Sequence, residues 1–513
     1  MHGGRRLTSV RRCLRMIWGC DHSYVERTVS TIEGATTEMK TTPYYVAGEW
    51  KTGDSTFDVA SPYDGSIVAS VAWTTDDDAE RALASAAAVF EDSRRLPVHV
   101  RADALLHISD GIDRRLEDIA MLIAREGGKP LKWARIEVGR AVTTFRWAAE
   151  ECRRWGGEFQ RLDTDPSVGS RAVLVTRFPI GPILGIAPFN WPVNLVAHKI
   201  APALVVGAPI VVKPASATPL GALALAEIFA ETDLPPEMLS VITVPGARAE
   251  RLVTDPRVAM VSFTGSPDVG WHLQRVASDK RFTLELGGNA AVVVHEDADL
   301  DHAATRVAIG GYYQAGQACV AVQRVLVHRP VYDDFVDRLV KQVGQLHVGD
   351  PLDPAVDVGP LIDRAAAERV EAWITEAVAG GAEILCGGNV DGLIVSPTVL
   401  ANTRPDMKVV CQEVFGPVTS VIPYDTFDQA LDVVNDSEYG LHAGIFTSDI
   451  NRVFEAYRTL RVGGVILNDT SAFRADQMPY GGTKRSGHGR EGLRYAMEDM
   501  TEPRALVLSN IPL

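Results

Sequence analysis

From Gly181 onward the chain alternates short apolar runs with helical segments, and this alternation constrains the fold more than any other feature. Residues 183–187, 209–213, 239–244 and 259–263 are apolar runs of the length expected for strands buried on both faces. Between them, 220–231 and 247–253 carry helical spacing. Strands separated by helices cannot close as hairpins, so the pattern predicts a doubly wound parallel sheet. Ligands bind such sheets in the loops at the carboxyl ends of the strands.

After Glu285 the alternation resumes. Residues 291–294, 325–328 and 418–422 read as strands, and 331–343 and 365–379 as helices, which predicts a second α/β domain. A chain of 513 residues exceeds what one core supports, so two or three packed domains are expected. Ahead of the first sheet, 44–50 reads as a hairpin turning at Ala47-Gly48. Residues 76–94, 98–125 and 132–155 read as helices, the first with acidic residues at its start, and 173–178 as a strand. The tail 504–509 is an apolar strand with nothing after it to pair with, which predicts pairing across a subunit interface.

The net charge of −15 argues against a nucleic-acid surface, which needs a basic face, and against attachment to anionic lipid. The most apolar stretch, 183–212, is broken by Pro188, Pro192, Pro202 and Pro209 and carries Asn190, His198 and Lys199. A membrane span needs roughly 20 uninterrupted apolar residues, so this stretch is read as core. Six cysteines without CxxC pairs or nearby histidines give neither a disulfide framework nor a zinc site. No metal is expected, and a cytoplasmic setting fits best. Residues 1–40 hold Arg5, Arg6, Arg11, Arg12 and Arg15 before the first acid, Asp21, but an apolar patch too short for a signal sequence. They read as a disordered extension, or as an over-long start with Met39 the true first residue.

Three residues draw attention for their chemistry. Cys319 stands in GQACV, where small neighbours let a substrate and a backbone N–H approach the sulfur; alone, such a cysteine is more often a buried hydrophobe. Glu285 stands between two leucines before Gly287-Gly288. That is either a salt-bridged structural acid or a carboxylate whose apolar pocket raises its pKa for general-base work. Asn190, in PFNWP, is either a turn asparagine or an amide donor for a developing oxyanion.

Together with VVKPAS, SFTGS, LELGGN, QEVFGP and PYGGTKRSG, in this order and at similar spacing, these segments resemble the aldehyde dehydrogenase superfamily. The resemblance runs from about Tyr44 to the C-terminus. NDTSAFRADQMPYGG and QRVLVH are most similar to its lactaldehyde dehydrogenase-like branch, near the non-phosphorylating glyceraldehyde-3-phosphate dehydrogenases. It implies two doubly wound α/β domains plus a small β oligomerisation element. The implied boundaries are 41–160 with 178–286 for dinucleotide binding, 287–496 for catalysis, and 161–177 with 497–513 for oligomerisation. It implies oxidation of an aldehyde to its acid, with Cys319 as nucleophile, Asn190 and the Cys319 N–H as oxyanion donors, and Glu285 as base. It places NADP or NAD against Lys213, Ser216, Gly246, Gly265, Ser266, Glu413 and Phe415. A homodimer or homotetramer is expected.

Two departures from the family pattern narrow the expectation. Ser216 stands where strictly NAD-preferring relatives carry a glutamate, so with Lys213 it would accept a 2′-phosphate; the alternative is that Ser216 only caps a helix. Arg474 falls where relatives acting on apolar aldehydes present an aromatic. It suggests a small polar, anionic or hydroxylated substrate, unless it is spent in a salt bridge with Asp476. Trp191 is expected to line the aldehyde pocket, His198 to be a satisfied core histidine, and Cys411 to have no role. A CoA-acylating enzyme or an acyl-phosphate reductase is disfavoured by Glu285. A non-catalytic binding protein is disfavoured by the presence of all three chemical residues.

Overall fold

The computed structural model describes residues 40–509, so the expected disordered extension falls, but for Lys40, outside the described residues. The four apolar runs form the strands Ile183–Ile186, Ile210–Lys213, Leu239–Val241 and Met260–Thr264, each buried along its whole length. Leu239–Val241, Ile210–Lys213, Ile183–Ile186, Met260–Thr264 and Arg281–Glu285 lie side by side and parallel. Strand order runs one way from Ile183–Ile186 and then the other, so the topological switch point, where such sheets bind ligands, lies between it and Met260–Thr264. The hairpin Tyr44–Val46 and Glu49–Lys51 closes one edge and Gly487–His488 the other, both antiparallel.

A second sheet has seven strands. Its centre is the parallel set Val418–Tyr424, Val322–His328, Ala290–Val294 and His442–Phe446. Residues 487–500 depart from the expected boundary at 496. Gly487–His488 joins the first sheet, and Leu493, Met497 and Met500 pack into the first core, because their apolar face finds its complement there rather than on the second sheet.

Two further expectations are corrected. The segment 98–125 is two helices, Val98–Arg114 and Leu116–Gly127, because Arg115 leaves helical geometry at ψ 18°. The acidic pair Glu117 and Asp118 in the first turn of the second helix is the favourable charge for such a start. The tail strand Thr501–Ser509 finds one partner earlier in its own chain and leaves its other edge open among the described residues. It pairs antiparallel with Arg171–Pro179 through nine residues, and Glu158–Arg161 completes a three-stranded sheet. Among the described residues no helix is long and apolar enough to cross a membrane.

Two helices that shape the first crevice start without a side-chain cap of their own. Asn194–Val206 follows Val193, and Leu220–Phe229 follows Pro219. Carboxylates from earlier helices accept the orphan amides instead. Glu137 takes Val193 N–H at 2.9 Å and Asn194 N–H at 3.1 Å. Glu126 takes Leu220 N–H at 2.9 Å and Gly221 N–H at 3.2 Å. Glu137 also pairs with Lys129, and both side chains are sealed from solvent. Burial pushes Lys129 down to about 8, with Glu137 acting against it. Glu137→Ala would leave a buried, unpaired cation and two unsatisfied amides, and is expected to cost about 3–5 kcal/mol. Urea unfolding at neutral pH measures this, and a loss below about 1 kcal/mol, the size of an ordinary exposed pair, would contradict it.

Candidate active site

A cavity of about 870 Å³ opens where the carboxyl ends of the first sheet meet loops that lead into the second. Asn190, Glu285 and Cys319 share its wall. Lys213, Gly246, Gly265, Ser266, Glu413 and Phe415 line it as well. The first sheet supplies Glu285, the last residue of Arg281–Glu285. Cys319 comes from the loop ahead of Val322–His328.

That loop is strained. Gln314, Ala315 and Gly316 are successively left-handed, with φ of 52°, 55° and 68°. For the two residues with a Cβ this costs roughly 1–2 kcal/mol each. Hydrogen bonds to the Asn190 loop hold it there. Asn190 Nδ2 donates to the Gln317 carbonyl at 2.9 Å, and Gln314 Nε2 donates back to the Asn190 carbonyl. The Ile362 N–H donates to Gln317 Oε1 at 2.9 Å. An asparagine amide has two hydrogens, so one of Asn190's remains for a ligand. The adjacent glycines serve close approach: a Cβ on Gly287 would collide with the Glu413 carboxylate, and one on Gly288 with the Cys319 carbonyl.

Cys319 Sγ lies 2.9 Å from Tyr480 Oη. Burial pushes the thiol up to about 12, while the Tyr480 hydrogen bond and the charge of Arg474 act to lower it. The Arg474 guanidinium sits 3.8 Å from the centre of the Tyr480 ring and bonds Glu491 at 3.0 Å. Lys199 reaches Glu491 at 3.4 Å from below. Burial works to raise Glu491, but Lys199 and Arg474 hold it at about 2. Glu285 is 3% exposed, and neither carboxylate oxygen has a hydrogen-bond partner. Burial, reinforced by the charge of Glu491, keeps it well above the usual carboxylate range.

The other end of the cavity presents groups suited to a phosphorylated, ribose-bearing ligand. Helix Pro267–Val276 points its N-terminus there, and Ser266 at its cap position makes no side-chain capping bond, which leaves amides for an anion. Lys213 hydrogen-bonds only the Pro214 carbonyl among the described residues, and burial lowers it to about 8. Glu413, raised to about 7 by burial, is aimed by the Gly288 N–H at 2.7 Å.

Ser216, Trp191 and Arg474 are not on this wall. Ser216 is not a helix cap either, since the nearest helix begins after Pro219. Trp191 packs its ring against Lys129 at 3.8 Å and Arg140 at 5.2 Å. The salt bridge considered for Arg474 is made with Glu491 rather than Asp476, which instead binds Arg140 at 2.7 Å and His198 at 2.9 Å. His198 is therefore a satisfied buried histidine. Tyr480, Glu491, Lys199 and Gln314 went unread as site residues. Lys199 alone carried a signal, as a cation inside an otherwise mostly apolar helix that is buried along its whole length.

Residues 50–506 match the aldehyde dehydrogenase family. The chain is 43% identical to a 3-sulfolactaldehyde dehydrogenase of Priestia aryabhattai over 92% of its own length and 99% of the relative's. A crystal structure of aldehyde dehydrogenase 21 from Physcomitrella patens, in complex with the reaction product succinate, superposes with a TM-score of 0.91 at 40% identity, covering 93% of this chain and 99% of that one. The glyceraldehyde-3-phosphate dehydrogenase GapN of Methanocaldococcus jannaschii, complexed with NADP, gives 0.85 at 37% identity, covering 88% and 99%. Matched along almost its whole described length, with a buried cysteine, an unpartnered glutamate and an asparagine amide in one cavity, the chain belongs to the aldehyde dehydrogenase family.

Proposed function

We propose that this enzyme oxidises a small, anionic aldehyde to its carboxylic acid with NADP or NAD, through a thioester on Cys319. The observation that carries the reading is the shared cavity of Cys319, Asn190 and a buried Glu285 with no partner. Bound nicotinamide cofactor supplies the hydride acceptor. Lys213, Gly246, Gly265, Ser266, Glu413 and Phe415, which line the cavity, would hold it. Lys213, with no acid against it, favours a cofactor bearing a 2′-phosphate.

Cys319 thiolate adds to the aldehyde carbonyl, and the new oxyanion takes the spare Asn190 N–H and the Cys319 backbone N–H. Collapse of the adduct expels hydride and leaves the thioester. Glu285 then removes a proton from water, which adds to the thioester carbonyl; the acid leaves and the thiol returns. Tyr480 steadies the thiolate by donating its hydroxyl hydrogen to Sγ, and Arg474 over its ring adds positive potential.

For the substrate, the relatives' names share a small polar aldehyde: a sulfonate, a carboxylate product and a phosphate stand beside the neutral, hydroxylated lactaldehyde. Arg474, paired with Glu491 and off the cavity wall, would act on an anionic substrate only through its positive charge behind Tyr480. A cytoplasmic homodimer or homotetramer is the expected state. Leu506 and Val507 on the tail strand and Phe159 beside it leave more than half their surface exposed, apolar area of the kind subunits cover. A single-chain mass by sedimentation would refute this.

Reduced-nicotinamide absorbance, followed with NAD⁺ and NADP⁺ against sulfonated, phosphorylated, carboxylated and neutral aldehydes of similar size, tests the whole reading. Turnover without CoA, lost in Cys319→Ala and highest for an anionic aldehyde, is expected. Turnover only on adding CoA would overturn the role of Glu285. Glu285→Gln is expected to lower kcat by roughly 10²–10⁴-fold while keeping a burst of up to one reduced cofactor per site. It is also expected to stabilise the fold above about pH 5. A carboxyl whose folded pKa is raised costs stability once the unfolded chain ionises, near 4.3, and the amide removes that cost. Tyr480→Phe removes a hydrogen bond to a charged group, worth about 1.5–3 kcal/mol, so alkylation of Cys319 by iodoacetamide should shift to higher pH by roughly one to two units. An unshifted alkylation profile would show that the hydroxyl does not stabilise the thiolate.

A further inference from the structure

The second sheet also has carboxyl ends, and they lie at the far end of its strands from Cys319. His295 directly follows the strand Ala290–Val294, and His328 ends the neighbouring strand Val322–His328. Parallel pairing brings the two strand ends together. One nitrogen from each imidazole and a carboxylate oxygen of Glu296 lie within 4.8 Å of one another. His295 is 4% exposed, and its Nδ1 stands 3.4 Å from Asp297 Oδ1 without a hydrogen bond; His328 Nδ1 is buried and faces Glu296 Oε2 at 3.5 Å, also without one. His328 Nε2 faces the Asp425 carbonyl at 3.3 Å. That contact calls for the proton on Nε2, which leaves Nδ1 as a lone pair. A backbone carbonyl on the distal imidazole nitrogen is the arrangement that orients a metal-bound histidine.

From this juxtaposition we propose that His295, His328 and Glu296 form a binding site for a divalent first-row transition ion of the Zn²⁺ type, separate from the catalytic cavity. Two imidazoles and one carboxylate are ligands of suitable hardness, and open positions are left for water. Glu296 is exposed and gives the ion its entry path. The charge balance agrees. Glu296, Asp297, Asp425 and Asp449 stand against the guanidiniums of Arg329 and Arg452, which pair with Asp425 and with Asp297 and Asp449. Two negative charges remain among these groups, which matches a dication.

The rings stack with centroids 4.5 Å apart and planes at 26°, so seating an ion in both planes requires one imidazole to turn about its side-chain axis. Ligand atoms around a tetrahedral ion at about 2.1 Å stand roughly 3.4 Å apart, so the cluster closes once that imidazole turns and Glu296 moves in behind it. Bound there, the ion clips together the ends of two central strands.

The test is calorimetric titration of Zn²⁺ into the chelator-stripped full chain, with Co²⁺ absorption as a second readout. One Zn²⁺ per chain is expected. Glu296→Gln and His328→Gln should each weaken it beyond the roughly 10–100-fold typical of losing a second-shell partner. Cys319→Ala should bind as wild type, and the Co²⁺ spectrum should lack a thiolate charge-transfer band. Turnover of Glu296→Gln should be unchanged. Should His328→Gln fail to fold, the exposed Glu296→Gln carries the test alone. No binding by the wild-type chain, equal binding by wild type and Glu296→Gln, or binding lost in Cys319→Ala would each overturn the proposal.

Discussion

The reciprocal hydrogen bonds between the Asn190 loop and the Gln314–Gln317 segment are the contact on which the rest depends. One loop belongs to the first sheet and the other leads into the second, and the latter loop is strained in its observed form. Three left-handed residues in a row persist only when their surroundings over-determine them. The bond from Asn190 to the Gln317 carbonyl and the bond back from Gln314 do that. They also set the distance between an amide donor and a nucleophile drawn from separate cores. The Glu137 carboxylate extends the same frame backwards by fixing the start of the helix that follows Asn190.

Two buried carboxylates in the same neighbourhood are treated in opposite ways. Glu491 is claimed by Lys199 and Arg474 and stays ionised. Glu285 is given no partner, and the negative charge of Glu491 helps keep its proton on. The polar groups around the thiol are thus divided between a permanently charged set and one acid poised to exchange a proton. Such a division separates a base from a structural ion when both are glutamates.

Much of this was readable in the residues. Parallel strands announced themselves as uninterrupted apolar runs, and Cys319, Glu285 and Asn190 by segments whose small neighbours admit a ligand. The split at Arg115 was missed because apolar spacing continues across it. The strand at 173–178 was legible, but nothing local tells that it pairs with a tail more than three hundred residues later. Tyr480 and Glu491 were not singled out at all. Their roles arise from tertiary neighbours, Arg474 above a ring and Lys199 below a carboxylate, that no local pattern encodes. The same holds for His295 and His328, whose proximity exists only through strand pairing.

A thiol held up near 12 by burial has a consequence for the lifetime of the protein in an oxidising cell. Peroxides react with thiolates, and a sulfur that stays protonated at neutral pH is a poor target for them. Between turnovers the nucleophile is therefore shielded from sulfenic and sulfinic damage by the same desolvation that delays its ionisation. Reactivity and vulnerability rise together wherever the thiol ionises.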